Sequence, residues 1–268
     1  MIDRGVLLLR LALFLGIFAL GFALERFAPA RPNRRRTSAA NLVLAVLATA
    51  TTRILVPLSL VLWAAGWHEG LFPYLGFGFP WAVILGVAGL DLAIYFQHRL
   101  FHRWGWLWRF HRVHHADPEL DVSSGIRFHP GEFVLSTLVK LAAVTLLGVP
   151  ALGVLVFEIL LNTSSLLTHA NLALPARIER LLRCFFVTPP MHLVHHSAHG
   201  DDLNHNFGFC LSLWDRVLGT YRLRSGGPDP ARPLLGLPGQ SGDPGLGDLL
   251  LLPFRRGVGV PPRREARG

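Results

Sequence analysis

Four long runs of apolar residues divide the chain before any polar feature is considered. They cover residues 6–24, 41–63, 81–97 and 133–167. The first run has nineteen residues, and such a helix is about 28 Å long, close to the thickness of the hydrocarbon core of a bilayer. The runs predict an all-α integral membrane protein with about four transmembrane or helical-hairpin units.

The last run differs from the others because it is interrupted near its middle. Gly148, Val149 and Pro150 separate two apolar halves of roughly seventeen residues each, which is marginal for a full span. Gly and Pro together favour a turn at this point. We therefore predict a helical hairpin whose two ends return to one side of the membrane, which brings His169 to that side.

Charged residues in the loops predict the orientation. The loop 31–36 contains four arginines and no acid, whereas the loop 66–80 contains no Lys or Arg. Because basic loops stay in the cytoplasm, 31–36 is predicted to be cytoplasmic and 66–80 external. The span 81–97 then runs inward and delivers His98 to the cytoplasmic boundary, where a histidine-rich helical cap is expected to hold a dinuclear metal site.

Composition agrees with a membrane protein. Of 268 residues, 51% are hydrophobic and 16% are charged, and the mean hydropathy is +0.41. The net charge of +9 comes from arginines that flank apolar segments, so we attribute it to membrane topology and contact with membrane lipids, and predict no nucleic-acid partner.

The chain is predicted to have two parts. Residues 1–222 form the membrane-embedded domain, which carries the chemistry. Residues 223–268 are rich in Gly, Pro and Arg, a composition that buries little apolar surface, and they are predicted to be a disordered tail.

Histidines are concentrated in two stretches. Of the 13 histidines, 11 lie in 98–129 or 192–205. His98 and His102 are spaced i, i+4, so both rings lie on one helix face and can bind one metal ion.

Two HxxHH triplets extend this pattern. In each triplet the first histidine shares a face with the other two, whereas the adjacent pair diverges by about 100°. Adjacent histidines therefore suit two ions better than one. With the HxxxH pair and His169 there are nine imidazoles, more than the three or four that one zinc ion needs. The triplets are His111, His114 and His115, and His192, His195 and His196.

Four interpretations of these histidines are considered at this point. A zinc metalloprotease is disfavoured because HRLFH lacks the glutamate of HExxH. A histidine-rich membrane metal-binding or transport protein is the main alternative to an enzyme, although transporters place their ligands near the bilayer midplane. Hydrolysis at a dizinc site is the third. Histidine-rich sites with open positions suit iron and O₂ chemistry.

Several segments carry a family resemblance. DLAIYFQHRLFH, LWRFHRVHHADPELDVSSGIRFHPGE, THANL, TPPMHLVHHS and NFGFCLSLWDRVLGTY resemble the sterol desaturase/fatty acid hydroxylase superfamily of membrane di-iron enzymes. The resemblance covers roughly residues 80–222. It implies that the metal ligands are His98, His102, His111, His114, His115, His169, His192, His195 and His196.

The resemblance also implies a function. It implies O₂-dependent attack on a C–H bond of a lipid (hydroxylation, desaturation or ether cleavage) by two iron ions, with zinc as an alternative metal. An external electron donor, such as a reductase, a ferredoxin or a cytochrome, is implied because the chain has no haem or iron–sulfur motif. The expected location is a bacterial inner membrane, with the histidines on the cytoplasmic side. Sterol-like, fatty acyl and other lipids all remain open as substrates.

One position departs from a subgroup of the family. Fatty acid 2-hydroxylase members carry an additional histidine four residues before the one that matches His169, and here that residue is Ser165. Fatty acid 2-hydroxylation is therefore less favoured than other lipid oxidations.

Other polar residues are predicted to orient the ligands or to line the substrate cavity. Asp91 and Tyr95 share a helix face with His98, and Asp91 is expected to bond a ligand's far nitrogen or a neighbouring span. Glu158 and Asn162 lie on one helical stripe with His169. This stripe either lines the cavity or makes a contact with a basic residue, Arg53 or Lys140. His129 is expected to cap a helix, to support a ligand or to bind metal, and Asn206 is expected to support a ligand. Trp104, Trp106 and Trp108 are predicted to anchor the membrane interface.

Overall fold

The computed structural model describes residues 4–31, 39–226 and 234–257. Within these residues the chain forms twelve α-helices and three short 3-10 helices. The 3-10 helices are Val122–Ile126, Asp202–Asn204 and Leu252–Phe254. The α-helices are α1 (Arg4–Phe27), α2 (Ala39–Leu55), α3 (Leu60–Gly66), α4 (Leu71–Tyr74), α5 (Phe79–Arg103), α6 (Gly105–His115), α7 (Pro130–Leu147), α8 (Ala151–His169), α9 (Ala176–Leu182), α10 (Pro189–His195), α11 (Leu213–Val217) and α12 (Leu246–Leu251).

Within the described part of the chain, five segments are long and apolar enough to cross a membrane. The predicted all-helical membrane architecture is therefore confirmed. The predicted hairpin contributes two of the five, so four units and five segments describe the same arrangement. The segments are Gly5–Phe27, Ala39–Tyr74, Phe79–Arg103, Pro130–Leu147 and Ala151–His169.

The hairpin of α7 and α8 turns at Gly148. Its backbone has φ +68°, a left-handed conformation that glycine adopts without strain. A Cβ at this position would lie 2.6 Å from the carbonyl oxygen of Glu69 and from Cδ of Pro73. Only glycine therefore fits between the hairpin turn and the loop that leads into α4.

The second predicted apolar run, 41–63, is two helices rather than one. α2 ends at Leu55 and α3 begins at Leu60. Pro57 lies in the gap, and it has no N–H with which to continue a helix.

The membrane part is held together by a cluster of buried apolar residues from α3, α4, α5, α7 and α8 and from the turn between α7 and α8. Leu90, Val144 and Phe157 lie at its centre, each about 1% exposed. At Gly86, α5 comes so close to Val149 that a Cβ would lie 2.6 Å from its Cγ1. Small residues at such crossings let transmembrane helices pack closely.

A helical cap (residues 104–129 and 170–226) covers the ends of α5 and α8. A second apolar cluster fixes it, in which Trp108 and Val113 of α6 pack with Leu44 of α2 and Leu249 of α12. This packing connects the cap to the membrane part and to the C-terminal segment.

The C-terminal segment 234–257 differs from the disordered tail predicted for 223–268. Leu249 is fully buried, and the Arg112 guanidinium donates hydrogen bonds to the main-chain oxygens of Leu252 and Arg255. Leu237, Leu249 and Leu252 thus supply buried apolar surface in an otherwise Gly- and Pro-rich stretch. Residues 227–233 and 258–268 of the predicted tail lie outside the described residues, and the domain boundary at 222 stays a prediction.

Candidate metal centre

The nine histidines expected to bind metal lie in two adjacent clusters where the cap meets the ends of α5 and α8. One ligand atom from each ring lies within 4.8 Å of the others in its cluster, and no histidine of the nine is more than 4% exposed. The first histidine cluster is His98, His102, His111, His115 and His195, and the second histidine cluster is His114, His169, His192 and His196.

Helical spacing explains how the rings divide. Residues four apart on a helix share a face, so each i, i+4 pair falls in one cluster. Consecutive residues point about 100° apart, so His114 joins the second cluster and His115 the first. His196 and His195 divide in the same way. This division is the arrangement that the HxxHH spacing predicts for two ions.

All five Nε2 atoms of the first histidine cluster are buried and lack a hydrogen-bond partner within the described residues. Burying a polar atom without a partner costs about 1–3 kcal/mol. Five such atoms around one point are therefore strongly unfavourable unless a cation binds them. Neutral imidazole nitrogens are suitable ligands for a divalent transition metal.

Hydrogen bonds at the opposite ring nitrogens define the tautomers. Nδ1 of His98 lies 2.8 Å from the carbonyl oxygen of Phe207, and Nδ1 of His195 lies 2.8 Å from that of His205. A carbonyl oxygen only accepts, so both Nδ1 atoms carry the proton. Each Nε2 then directs a lone pair into the cluster.

In the second histidine cluster the Nε2 atoms meet directly. Nε2 of His169 lies 3.0 Å from that of His114, and its Nδ1 donates to the carbonyl oxygen of Ser165 at 2.6 Å. Nδ1 of His114 faces the carbonyl oxygen of Arg127 at 3.3 Å. Both Nε2 atoms are therefore acceptors and cannot hydrogen-bond to each other.

The spacing of these nitrogens fits one shared ion. Nε2 of His192 lies 3.0 Å from that of His169 and 3.1 Å from that of His196. Four nitrogens placed tetrahedrally about 2.1 Å from one ion would lie roughly 3.3–3.4 Å apart. The second histidine cluster is thus contracted only slightly from that geometry.

Glu132 orients His111 and was not predicted from the sequence. Its carboxylate oxygen lies 2.6 Å from Nδ1 of His111, and Glu132 is 3% exposed. A carboxylate on the far nitrogen fixes the tautomer and increases the basicity of a metal-binding histidine. Glu132 lies in the quoted segment RFHPGE, but no periodicity connects it with a residue 21 positions earlier.

We expect Glu132→Ala to weaken metal binding by about 10–100-fold, since the loss of such a carboxylate typically has this effect. Glu132→Gln should lie between that variant and the wild type, because an amide oxygen still accepts the Nδ1 proton but carries no charge. Competition with a chromophoric chelator measures the affinity. Glu69→Gln, an exposed glutamate near the hairpin turn, is the control, and unchanged affinity in Glu132→Ala would contradict the assigned role.

Burial keeps the cap histidines neutral. It lowers the pKa of His111 to about 3. Burial, with further contributions from neighbouring imidazoles, lowers the pKa of the other cluster histidines in the cap well below its usual value: His114, His115, His192, His195 and His196. Neutral imidazole is the form that binds metal.

These shifts predict how the stability of metal-depleted protein depends on pH. In the unfolded chain the same histidines titrate near pH 6.5, so below that pH the unfolded state binds more protons. Stability should be highest above about pH 6.5 and should fall as the pH drops toward about 3, the pKa of His111. Burial raises the pKa of Asp215 to about 6, and a raised carboxyl pKa acts in the opposite sense. Thermal unfolding in detergent after chelator treatment tests this prediction. A melting temperature that rises as the pH is lowered from about 7 to about 5 would contradict it.

Asp91 holds a loop rather than a histidine. Its carboxylate accepts hydrogen bonds from the main-chain N–H groups of Cys210 and Leu211, at 3.2 and 3.1 Å, and from Nε1 of Trp214 at 2.9 Å. These bonds fasten the loop 206–211 to α5. The same loop supplies the Phe207 carbonyl that orients His98.

Asp215 and Tyr95 fix the other side of this loop. The Asp215 carboxylate accepts from the N–H groups of Phe207 and Gly208, at 2.8 and 2.9 Å. It also accepts from the Thr220 hydroxyl at 2.7 Å, and that hydroxyl lies 2.7 Å from the hydroxyl of Tyr95. Asp215 was not singled out from the sequence because two of the three groups that donate to its carboxylate are main-chain N–H groups.

Asn206 connects the loop to α10. Its Nδ2 donates to the carbonyl oxygens of Met191 and Arg222, at 2.9 and 2.7 Å. Its φ of +55° is in the left-handed region that asparagine tolerates better than most residues. Since Met191 precedes His192, Asn206 helps to position the second triplet.

His129 lies outside both clusters. Its Nδ1 accepts from the N–H of Gly131 at 3.0 Å and so caps the start of α7. Its Nε2 lies 3.3 Å from the carbonyl oxygen of Leu250. His129 therefore connects the start of α7 with the C-terminal segment.

The polar stripe on α8 divides between two surroundings. Glu158 forms an ion pair with Arg10 of α1 at 2.9 Å, not with Arg53 or Lys140 as the alternative interpretation expected. Asn162 is exposed and lies in a groove between α1 and α8 with Arg10. A role of this groove in substrate binding stays a prediction.

Ser165 packs against the 3-10 helix at Val122–Ile126. Its hydroxyl donates to the carbonyl oxygen of Gly125 at 2.7 Å. A Cβ on Gly125 would lie 2.4 Å from the Ser165 carbonyl oxygen. The turn therefore packs directly against the backbone of α8 at Ser165.

The three tryptophans do not share one role. Trp104 and Trp106 are 52% and 54% exposed, which agrees with interface anchors, whereas Trp108 is 3% exposed. The ring of Trp108 lies 5.0 Å from that of His102 and 5.3 Å from that of His115. Trp108 therefore forms one wall of the first histidine cluster, and the prediction of an interface role for it was wrong.

The fold and site together define a helical membrane protein with a two-cluster histidine centre. The sequence profile of the fatty acid hydroxylase family matches residues 83–220. This chain therefore belongs to the fatty acid hydroxylase family, as the histidine spacing and the surrounding segments indicate.

Characterised relatives are similar over about half of the chain. Ornithine lipid hydroxylase OlsE of Rhizobium tropici is 35% identical over 155 residues, 56% of this chain and 43% of that protein. Human cholesterol 25-hydroxylase is 29% identical over 136 residues, 50% of this chain and 49% of that protein. Alkylglycerol monooxygenase of Danio rerio is 27% identical over 159 residues, 58% of this chain and 34% of that protein. The matches thus span less than half the length of these relatives, and no solved structure matches the chain significantly.

Proposed function

We propose that this protein is a membrane-bound, O₂-dependent lipid hydroxylase whose nine cluster histidines hold a di-iron centre. The observation that carries the proposal is the convergence of imidazole nitrogens. Five Nε2 atoms that have no hydrogen-bond partner among the described residues face one point, and four more lie within hydrogen-bond distance of one another beside them. Family membership supports the same function, since the relatives are named hydroxylases or monooxygenases.

The first histidine cluster would hold one ion and the second histidine cluster the other. Two histidine-only clusters resemble iron sites for O₂ chemistry more than structural zinc sites, which are usually closed by four ligands that include cysteine. When bound, the iron pair supplies the O₂ activation needed to attack an unactivated C–H bond. Zinc is the alternative metal.

The chain's own residues hold the ligands in place and exclude water. Glu132 and the carbonyl oxygens of Phe207 and Arg127 fix the orientation of one histidine each. Phe128 stacks on His114 with 4.5 Å between the ring centres. Aromatic and apolar walls of this kind keep the reacting position dry.

We propose that the lipid approaches from the bilayer side. Phe209 packs against the apolar cluster of the membrane part, and its ring lies 5.1 Å from that of His98. It therefore lies between the membrane interior and the first histidine cluster. An amphipathic lipid with its polar group at the interface could present a chain carbon along this route. The named relatives act on an ornithine lipid, cholesterol and an alkylglycerol.

Hydroxylation needs electrons from outside the chain. One oxygen atom of O₂ enters the product, and the other is reduced to water with two electrons and two protons. The sequence contains no haem-attachment CxxCH and no cysteine cluster. We therefore propose an external reductase, ferredoxin or cytochrome as the donor.

The proposed location is a bacterial inner membrane with the histidine clusters in the cytoplasm. Arg31 of the basic loop donates to the carbonyl oxygen of Leu120 in the cap, whereas the loop before α4 contacts the hairpin turn at the opposite end of α7. This arrangement supports a cytoplasmic cap through the positive-inside rule. Residues 32–36 of the loop lie outside the described residues.

The test is to load purified protein with iron, add a reductant and membrane lipids, and measure O₂ consumption together with the lipid products. We expect O₂ uptake that depends on iron and lipid and yields a product heavier by one oxygen atom. Metal flux through proteoliposomes without O₂ uptake would instead indicate a transport protein. Lipid cleavage with zinc and without O₂ would indicate a hydrolase.

A further inference from the structure

One region of the cap exposes apolar residues to an unusual extent. We call residues 176–186 and 211–218 the lip. Eight of its large apolar side chains are 36–68% exposed: Ile178, Leu181, Leu182, Phe185, Phe186, Leu213, Val217 and Leu218. A contiguous apolar patch of this kind on a protein surface normally marks a contact with another apolar surface.

The lip is one continuous structure rather than two separate segments. Phe186 and Leu211 form an antiparallel bridge. The Ser212 N–H donates to the carbonyl oxygen of Phe185 at 3.0 Å, and the Ser212 hydroxyl donates to that of Arg183 at 2.8 Å. The apolar side chains of α9 and α11 therefore belong to a single surface.

A hydrogen bond fixes the depth of the lip. Nε1 of Trp214, in α11, donates to Asp91 at 2.9 Å. Asp91 is the middle residue of the 25-residue candidate span Phe79–Arg103, about 18 Å along the helix from either end. α11 thus lies beside a transmembrane helix, at a level where its exposed leucine and valine side chains would meet lipid.

The charges of the lip are complementary to an acidic surface. It carries four arginines and two acids, Glu179 and the buried Asp215. Glu179 pairs with Arg183 at 3.3 Å. Arg177 and Arg180 are exposed and have no ion-pair partner within the described part of the chain. Arginine binds phosphate through two parallel hydrogen bonds, while its aliphatic stem packs along apolar surface.

We propose that the lip is embedded in the cap-side leaflet and binds the phosphate groups of anionic phospholipids through Arg177 and Arg180. The apolar side chains enter the acyl region, and the two guanidinium groups remain at the level of the headgroups. This inference concerns the surface alone and does not depend on the proposed function.

The native Cys184 provides a probe, since it is exposed within the lip whereas Cys210 is buried. The full-length protein is placed in lipid nanodiscs, labelled at Cys184 with a small fluorophore, and quenched either by brominated acyl chains or by aqueous iodide. We expect bromolipid to quench this label several-fold more than a label on Ser241→Cys, an exposed position of the C-terminal segment, made in a Cys184→Ser background. Val217→Cys in the same background should behave like Cys184.

The charge part of the proposal is tested by headgroup preference. In the wild type, brominated phosphatidylglycerol should quench the Cys184 label more than brominated phosphatidylcholine, and Arg177→Glu with Arg180→Glu should remove this preference. Iodide quenching of Cys184 equal to that of the Ser241→Cys label would overturn the proposal. So would the absence of a headgroup preference in the wild type. Shielding from both quenchers, with Cys184 cross-linking between two copies, would overturn it in favour of a dimer.

Discussion

Replacing His114 with alanine is expected to remove about one of two bound metal ions and to abolish lipid oxidation. The second histidine cluster has four imidazoles, and the variant leaves three around a cavity. Loss of a group that only orients a ligand already lowers metal affinity or activity about 10–100-fold, so loss of the ligand itself should reduce turnover by at least that factor. Metal content per chain and O₂ consumption measure the two effects separately.

His199→Ala is the matched control for this variant. His199 is exposed in the cap and belongs to neither cluster, so its removal should leave two ions bound and activity unchanged. Membrane insertion should be normal in both variants, because His114 lies outside the candidate spans. Full metal content and full turnover in His114→Ala would refute its assignment as a ligand.

Replacing Arg127 with methionine is expected to destabilise the protein by about 3–5 kcal/mol, the usual effect of breaking a buried ion pair. The Arg127 side chain is fully buried and forms ion pairs with the buried Asp117 at 3.6 Å and, at 2.9 Å, with Asp243, whose side chain is 38% exposed. It also donates to Asn41 and to the carbonyl oxygens of Val113 and Ala116. Methionine fills similar space but donates none of these hydrogen bonds, although the Ala116 carbonyl oxygen keeps Nε2 of Gln240 as a donor.

The effect should reach the metal centre as well, since the main-chain oxygen of Arg127 accepts from His114. Thermal unfolding in detergent, with and without metal, measures it. Arg109→Met removes an exposed arginine from the same region and should change the melting temperature little. Equal melting temperatures for the Arg127 and Arg109 variants would show that the buried network contributes no net stability.

The clusters could be predicted from sequence because their geometry is largely local. A spacing of four residues places His98 and His102 on one face whatever surrounds them, and adjacency separates His114 from His115. The hairpin was predictable for the same reason, since Gly148 and Pro150 act on the chain immediately around them.

Residues that act through tertiary contacts were predicted poorly. Glu132 reaches His111 only because α7 packs beside α6, and no sequence pattern encodes that contact. Asp91 has the correct helix face for a ligand contact, but main-chain N–H groups of a distant loop occupy its carboxylate.

Composition was misleading where a few residues outweigh an average. The C-terminal segment has the Gly and Pro content of a disordered tail, yet Leu237, Leu249 and Leu252 are buried in the apolar cluster that includes Trp108. Trp108 is a similar case. It is a tryptophan close to two exposed tryptophans in the sequence, yet it is buried in the same apolar cluster.

The division of consecutive histidines between two centres has a consequence for how this chain can vary. A residue inserted or deleted between His111 and His115 would rotate everything beyond it by about 100° around the helix axis, and imidazoles meant for one ion would face the other. The same holds between His192 and His196. Side chains of these two helices that are not in the clusters can therefore be substituted during evolution or engineering. An insertion or deletion, in contrast, would disrupt both histidine clusters at once.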